Sequence, residues 1–181
     1  QQLGFAYDCI YSGFLADVNQ IEIVREAIRR FASAKDQKAL VVVDPAMGDD
    51  GKLYPTLNTD FVSHMKVLVT EADVITPNFT EACLLLDRPY EAQAPETTAL
   101  KEICRQLAAK DNQKVVITSV PASAANQIKV ACFDSSTQVF DEYSTLRIPF
   151  ATCGTGDLFT SVLTGAMLQG KTLSDSVQVA M

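Results

Sequence analysis

Gly154-Thr155-Gly156-Asp157 places two glycines around a small residue and follows them with a carboxylate. Glycines let a backbone turn tightly and bring its N–H groups close to an anion. The segment Leu158–Leu168 carries apolar residues at helical spacing, so those N–H groups fall at a helix N-terminus, where unpaired donors and the macrodipole favour negative charge. A carboxylate beside an anion repels it. Asp157 makes sense there if it removes a proton from a hydroxyl that attacks a phosphate. Taken alone, the same four residues also fit a plain helix-entry turn.

Other polar residues recur at strand ends. Asp44 closes the run Ala39–Val43, Thr76 closes Asp73–Ile75 with Asn78 and Glu81 just beyond, and Thr118 and Ser119 close the run from Lys114. In open α/β sheets the ligand crevice lies at the carboxyl ends of the strands, so these segments converge on one edge. Each has a plainer reading. Asp44-Pro45 fits a strand-ending turn, Gly48–Gly51 contains turns, and Asn78 with Glu81 fits a helix cap.

The elements that must position them follow from periodicity. Asp8–Ser12 reads as a short strand ending at Gly13, and Asn19 with Glu22 as a capping box for a helix with Ile21, Val24, Ile28 and Phe31 on one face. Further helices are expected over about 60–69, Asn78–Leu86, Glu96–Ala109 and from Ser174 onward. Continuous β-branched runs such as Leu40–Val43 indicate strands buried on both faces. After Thr118 the pattern at Ile128, Val130, Cys132, Val139 and Phe140 suggests two or three antiparallel strands. The whole predicts one α/β domain over residues 1–181, a mostly parallel sheet between helical layers with antiparallel strands toward the C-terminal part.

Bulk composition narrows the function. The 181 residues are 48% hydrophobic, ample for a core, and the net charge of −7 argues against a nucleic-acid groove. No apolar run is long enough to span a bilayer. An acidic chain that binds phosphate needs a cation, and magnesium is the first candidate. Five scattered cysteines and a single histidine, His64, make a zinc site improbable and read as reduced thiols of a cytoplasmic protein. Cys153 differs in abutting the anion turn. The first residue is not Met and the last lie inside an apolar-periodic helix, so the chain reads as a piece of a longer polypeptide. On that reading Asp8–Ser12 becomes a sheet edge, and the piece alone is expected to associate and to turn over poorly.

Asp44-Pro45-Ala46-Met47-Gly48-Asp49, Gly51-Lys52-Leu53-Tyr54, Thr76-Pro77-Asn78-Phe79-Thr80-Glu81, Val116-Ile117-Thr118-Ser119 and Gly154-Thr155-Gly156-Asp157 occur in this order. Together they resemble the pyridoxal/pyridoxamine kinase branch of the ribokinase superfamily, from about Tyr7 onward. The resemblance implies a three-layer ribokinase-like sandwich and an ATP-dependent kinase acting on the hydroxymethyl group of a vitamin B6 pyridine. It implies that Asp157 is the base and that the amides of Gly154, Thr155 and Gly156 form the anion hole. Asp44, Asp49 and Glu81 would handle magnesium, with Asn78, Thr76, Thr118 and Ser119 along the triphosphate. Ser12, Gly13 and Phe14 would lie near the substrate ring. A monovalent cation is a further candidate, and the full-length protein is expected to be a homodimer. The sequence departs from the family pattern at Ala46, usually Val, and at Phe14, which lacks a tyrosine's hydroxyl. The N-terminal substrate and lid region and the last helices of such kinases fall outside the chain. The alternatives are a hydroxymethylpyrimidine kinase, whose anion turn often carries Cys at the position of Asp157, and a non-catalytic nucleotide-binding homologue.

Overall fold

The computed structural model describes residues 7–34, 37–149 and 154–181. In chain order its elements are β1 (Cys9–Ser12), α1 (Val18–Phe31), β2 (Ser33–Ala34), β3 (Gln37–Lys38), β4 (Leu40–Val43), β5 (Gly48–Asp49), β6 (Lys52–Leu53), α2 (Thr59–Glu71), β7 (Val74–Ile75), α3 (Phe79–Leu85), α4 (Thr97–Leu107), β8 (Lys114–Pro121), β9 (Gln127–Asp134), β10 (Val139–Leu146), α5 (Thr155–Leu168) and α6 (Leu173–Ala180). The central sheet runs β1-β4-β7-β8-β9-β10. The first four are mutually parallel, and β9 and β10 are added antiparallel. This is the expected three-layer α/β arrangement.

The continuous apolar strands serve both layers. Val41, Val43, Ile75, Val115 and Ile117 join a core with Ile21, Phe61, Met65 and Leu100 from α1, α2 and α4. The alternate residues Val42, Val74 and Val116 pack instead with Leu163, Leu173 and Val177 of α5 and α6. A strand alternates its side chains between faces, so a run that is apolar throughout needs a helical layer on each side.

Three details differ from the sequence expectation. The cap of α1 is Asp17, whose carboxylate accepts from Gln20 N at 3.0 Å, and Gln20 Oε1 accepts from Ala16 N. Asn19 is already helical, and Glu22 pairs with Arg25 at 2.8 Å instead of closing a box. Asp17 satisfies a first-turn amide two residues before Asn19, so the helix begins there. Second, the turn expected in Gly48–Gly51 is present at Asp50–Gly51, but it joins two short strands, β5 and β6, that were not expected. Third, β8 does not end at Thr118. It continues to Pro121, and its pairing with β9 shifts register between Ile117 and Val120. Thr118 and Ser119 sit in that bulge, with Ser119 at φ 56°. A bulge leaves residues unpaired in the ladder and re-aims them, which is why these two behave as strand-end residues inside a strand.

Candidate phosphate and acceptor site

The carboxyl ends of β4, β7 and β8 and the start of α5 surround a cleft of about 880 Å3. Of the residues singled out from the sequence, Asp44, Asp49, Thr76, Asn78, Glu81, Thr118, Ser119, the turn 154–157 and Phe14 all line it. Ser12 and Gly13 do not line it. The Ser12 hydroxyl is buried without a hydrogen-bond partner among the described residues, and Gly13 backs onto Asp157. Cys153 lies outside the described residues.

Gly154 caps α5 in the left-handed region, φ 89°, a conformation that costs glycine nothing. Among the described residues no side chain bonds to the amides at this helix start, and Thr155, Gly156 and Asp157 are exposed. Free amides at a helix start are its anion-binding end. An added Cβ on Gly156 would sit 3.4 Å from Asp44 Oδ2, so the turn and the end of β4 are in contact.

Asp44 is 6% exposed. Burial first, and then the charge of Asp157, push its carboxyl up to about 7. Two carboxyls near one site cannot both ionise freely without a cation. Glu81, buried beside it, is pushed up to about 8 by burial and by Asp44, against three backbone amides that favour its charged form. Those amides define its place. Oε2 accepts from Asn78 N at 2.8 Å, and Oε1 from Met47 N at 3.0 Å and Gly48 N at 3.5 Å. Asn78 completes a capping box through Glu81 N and reaches Gly48 O at 2.8 Å through Nδ2. The plain cap and the functional reading therefore meet in one residue, since Glu81 caps α3 and fixes the Met47–Gly48 loop against the cleft. Asp49 is exposed on β5.

Among the described residues no cluster of three or more His, Cys, Asp or Glu side chains is arranged to hold a metal by itself. Magnesium characteristically takes one or two protein carboxylates and completes its shell with water and substrate phosphates. Asp44 at the anion turn, with Asp49 on the same cleft, fits that mode and not a preformed cage.

Sequence reasoning missed three participants. Tyr54 shares the cleft with Phe14, the ring centroids 6.3 Å apart. Thr160 Oγ1 lies 3.0 Å from Thr76 Oγ1, tying α5 to the end of β7. Tyr11 donates its phenolic hydrogen to Asp157 Oδ1 at 3.0 Å. A polar aromatic just before Ser12-Gly13, in a strand whose parallel neighbour is Val42, was the available signal for the last.

The phosphomethylpyrimidine kinase family matches residues 3–181. The chain belongs to that family. Among solved structures, family resemblance extends to a Bacteroides thetaiotaomicron protein provisionally named a phosphomethylpyrimidine kinase and crystallised with pyridoxal. It is 38% identical with TM-score 0.91, covering 99% of this chain and 62% of that one. Pyridoxal kinase from Lactobacillus plantarum is 30% identical with TM-score 0.83, over 99% of this chain and 61% of that one. A pyridoxine/pyridoxal/pyridoxamine kinase of Bordetella avium is 30% identical over 178 residues, 97% of this chain and 57% of its own length. The chain spans about half the length of several of the curated relatives it matches.

Proposed function

We propose that the protein phosphorylates the hydroxymethyl group of a vitamin B6 pyridine, using ATP. The observation that carries this is the placing of Asp157 at the start of α5, against the buried Asp44 and open to the cleft. Phosphoryl transfer asks a protein mainly for positioning, charge neutralisation and a base for the alcohol. The amides of Gly154, Thr155 and Gly156 would hold the transferred phosphate, and Asp157 would take the hydroxyl proton. Thr76, Asn78, Thr118 and Ser119 would line the triphosphate path, with Phe14 facing the acceptor ring. Magnesium, held by Asp44 and Asp49 and tuned by Glu81, would neutralise phosphate charge. The resemblance to the B6 kinases of Lactobacillus plantarum and Bordetella avium supports the choice of acceptor. A second reading, a hydroxymethylpyrimidine acceptor, is favoured by the family's own description.

The test is an acceptor panel. The full-length protein, purified, is assayed with ATP and magnesium on pyridoxal, pyridoxine, pyridoxamine and hydroxymethylpyrimidine. Turnover highest on a B6 vitamer is the expected result. Preference for the pyrimidine would move the assignment, and nucleotide binding without turnover of any acceptor would make this a non-catalytic homologue.

Two variants test the residues. Glu81→Gln is expected to raise the magnesium concentration for half-maximal rate, because a glutamine amide has one acceptor oxygen where Glu81 uses two, and the Met47–Gly48 loop beside Asp49 or the Asn78 amide loses its partner. Unaltered magnesium dependence would leave Glu81 as helix cap and loop tie only. Gly13→Ala places a methyl carbon 2.8 Å from Asp157 Oδ1, closer than any real contact allows. It is expected to lower kcat by about tenfold, since small displacements of a reacting group are costly. A wild-type kcat in this variant would show that Asp157 tolerates the shift.

A further inference from the structure

Tyr11 sits opposite Val42 in the parallel pairing of β1 with β4, so it shares the sheet face packed by α5 and α6. At the end of β1 this brings its phenol to the first turn of α5. There its hydroxyl donates to Asp157 Oδ1 at 3.0 Å, and Thr160, one turn further along α5, also engages it. Thr160 is itself anchored to Thr76 at 3.0 Å. Two residues beyond Tyr11, Gly13 leaves the space that Oδ1 occupies: a Cβ there would lie 2.8 Å from Oδ1 and 3.3 Å from the Tyr11 hydroxyl. Burial, the charge of Asp44 and the bond to Asp157 all hold the phenol above its ordinary titration range. It therefore remains a donor through neutral pH.

We propose that Tyr11 is a positioning residue for Asp157. Its hydroxyl fixes Oδ1 and so presents Oδ2 to the acceptor alcohol. This rests on the kinase reading above. In the step concerned, the hydroxyl proton passes to Oδ2 and the alcohol oxygen bonds to the γ-phosphorus. The bond from that phosphorus to the β-phosphate oxygen breaks, and ADP leaves. A carboxylate free to rotate about its Cβ–Cγ bond presents either oxygen at varying angles. One held by a phenol presents a single lone-pair direction, and orientation of a reacting group is worth large factors in rate.

The experiment is a double-mutant cycle in the purified full-length protein: wild type, Tyr11→Phe, Asp157→Asn and the two combined. Rates are read with γ-labelled ATP on pyridoxal and on hydroxymethylpyrimidine. Tyr11→Phe is expected to lower kcat by about tenfold and to leave the KM for ATP within about twofold. Its thermal midpoint should match that of wild type. With Asp157→Asn already present, removing the phenol should cost nothing further, because residues acting through one another are not additive. An unaltered kcat in Tyr11→Phe, or the same fold-loss in both backgrounds, overturns the positioning role while the kinase reading stands. A wild-type protein that phosphorylates neither acceptor overturns the kinase reading, and this proposal with it.

Discussion

Asp157→Asn is expected to lower kcat by about 10²–10⁴-fold, the range for loss of a general base, with far less change in ATP affinity. Asparagine keeps the shape of the side chain and can still accept from Tyr11, whose hydroxyl lies 3.0 Å from Oδ1. It cannot take a proton from an alcohol. The amides that would hold the phosphate belong to the backbone of the turn 154–157 and are unchanged by the substitution. Binding and chemistry therefore separate at this residue. Steady-state kcat and a direct nucleotide titration measure the two. The single histidine, His64, lies on α2, where its Nδ1 meets Asp60 O at 2.9 Å, so it offers no substitute base in the cleft. A near wild-type kcat in Asp157→Asn would remove the base from the mechanism.

The fold was legible where the sequence carried strong periodicity. Leu40–Val43 and Val115–Ile117 are apolar at every position, and only a strand between two helical layers buries both of their faces. The four parallel strands follow from that pattern, and the antiparallel pairing of β9 and β10 from the pattern at Ile128, Val130, Cys132, Val139 and Phe140. What escaped was set by single side chains competing for the same amides. Asp17 and Asn19 are both good caps, and periodicity does not choose between them. The short hairpin β5–β6 has too few residues to show alternation. The bulge at Thr118–Ser119 depends on where β9 pairs, a tertiary fact.

The site was legible in the same way. Residue types that serve phosphates stood at strand ends, and the topology gathered them. Partnerships across elements were not. The bond from Tyr11 to Asp157 joins residues 146 apart in sequence; a polar aromatic before Ser12-Gly13 marks Tyr11 but does not name its partner. Glu81 shows the converse. Its cap pattern was plain in Asn78–Glu81, but its second task, holding Met47 and Gly48 from 33 to 34 residues away, needed the fold.

Asp44→Asn is expected to stabilise the ligand-free protein, and by more as pH rises from about 4 to about 7. The folded protein holds the Asp44 carboxyl up at about 7, because burial and then the charge of Asp157 disfavour its ionisation. In the unfolded chain the same group ionises near its ordinary value of about 3.9. Between those values the folded state keeps a proton that the unfolded state has lost, so stability falls as pH rises through this window. The full cost above the window is on the order of 4 kcal/mol, a substantial part of the stability of a domain. Asparagine resembles the neutral carboxyl and has nothing to ionise, so the variant escapes the loss. Glu81 is present in both proteins. Removing the Asp44 charge also relieves the push on Glu81, which acts in the same direction. Thermal midpoints of variant and wild type across that pH range measure the effect, and several degrees of widening separation are expected. A constant separation would show that Asp44 is ionised throughout, and that its charge is already compensated before any nucleotide or cation arrives.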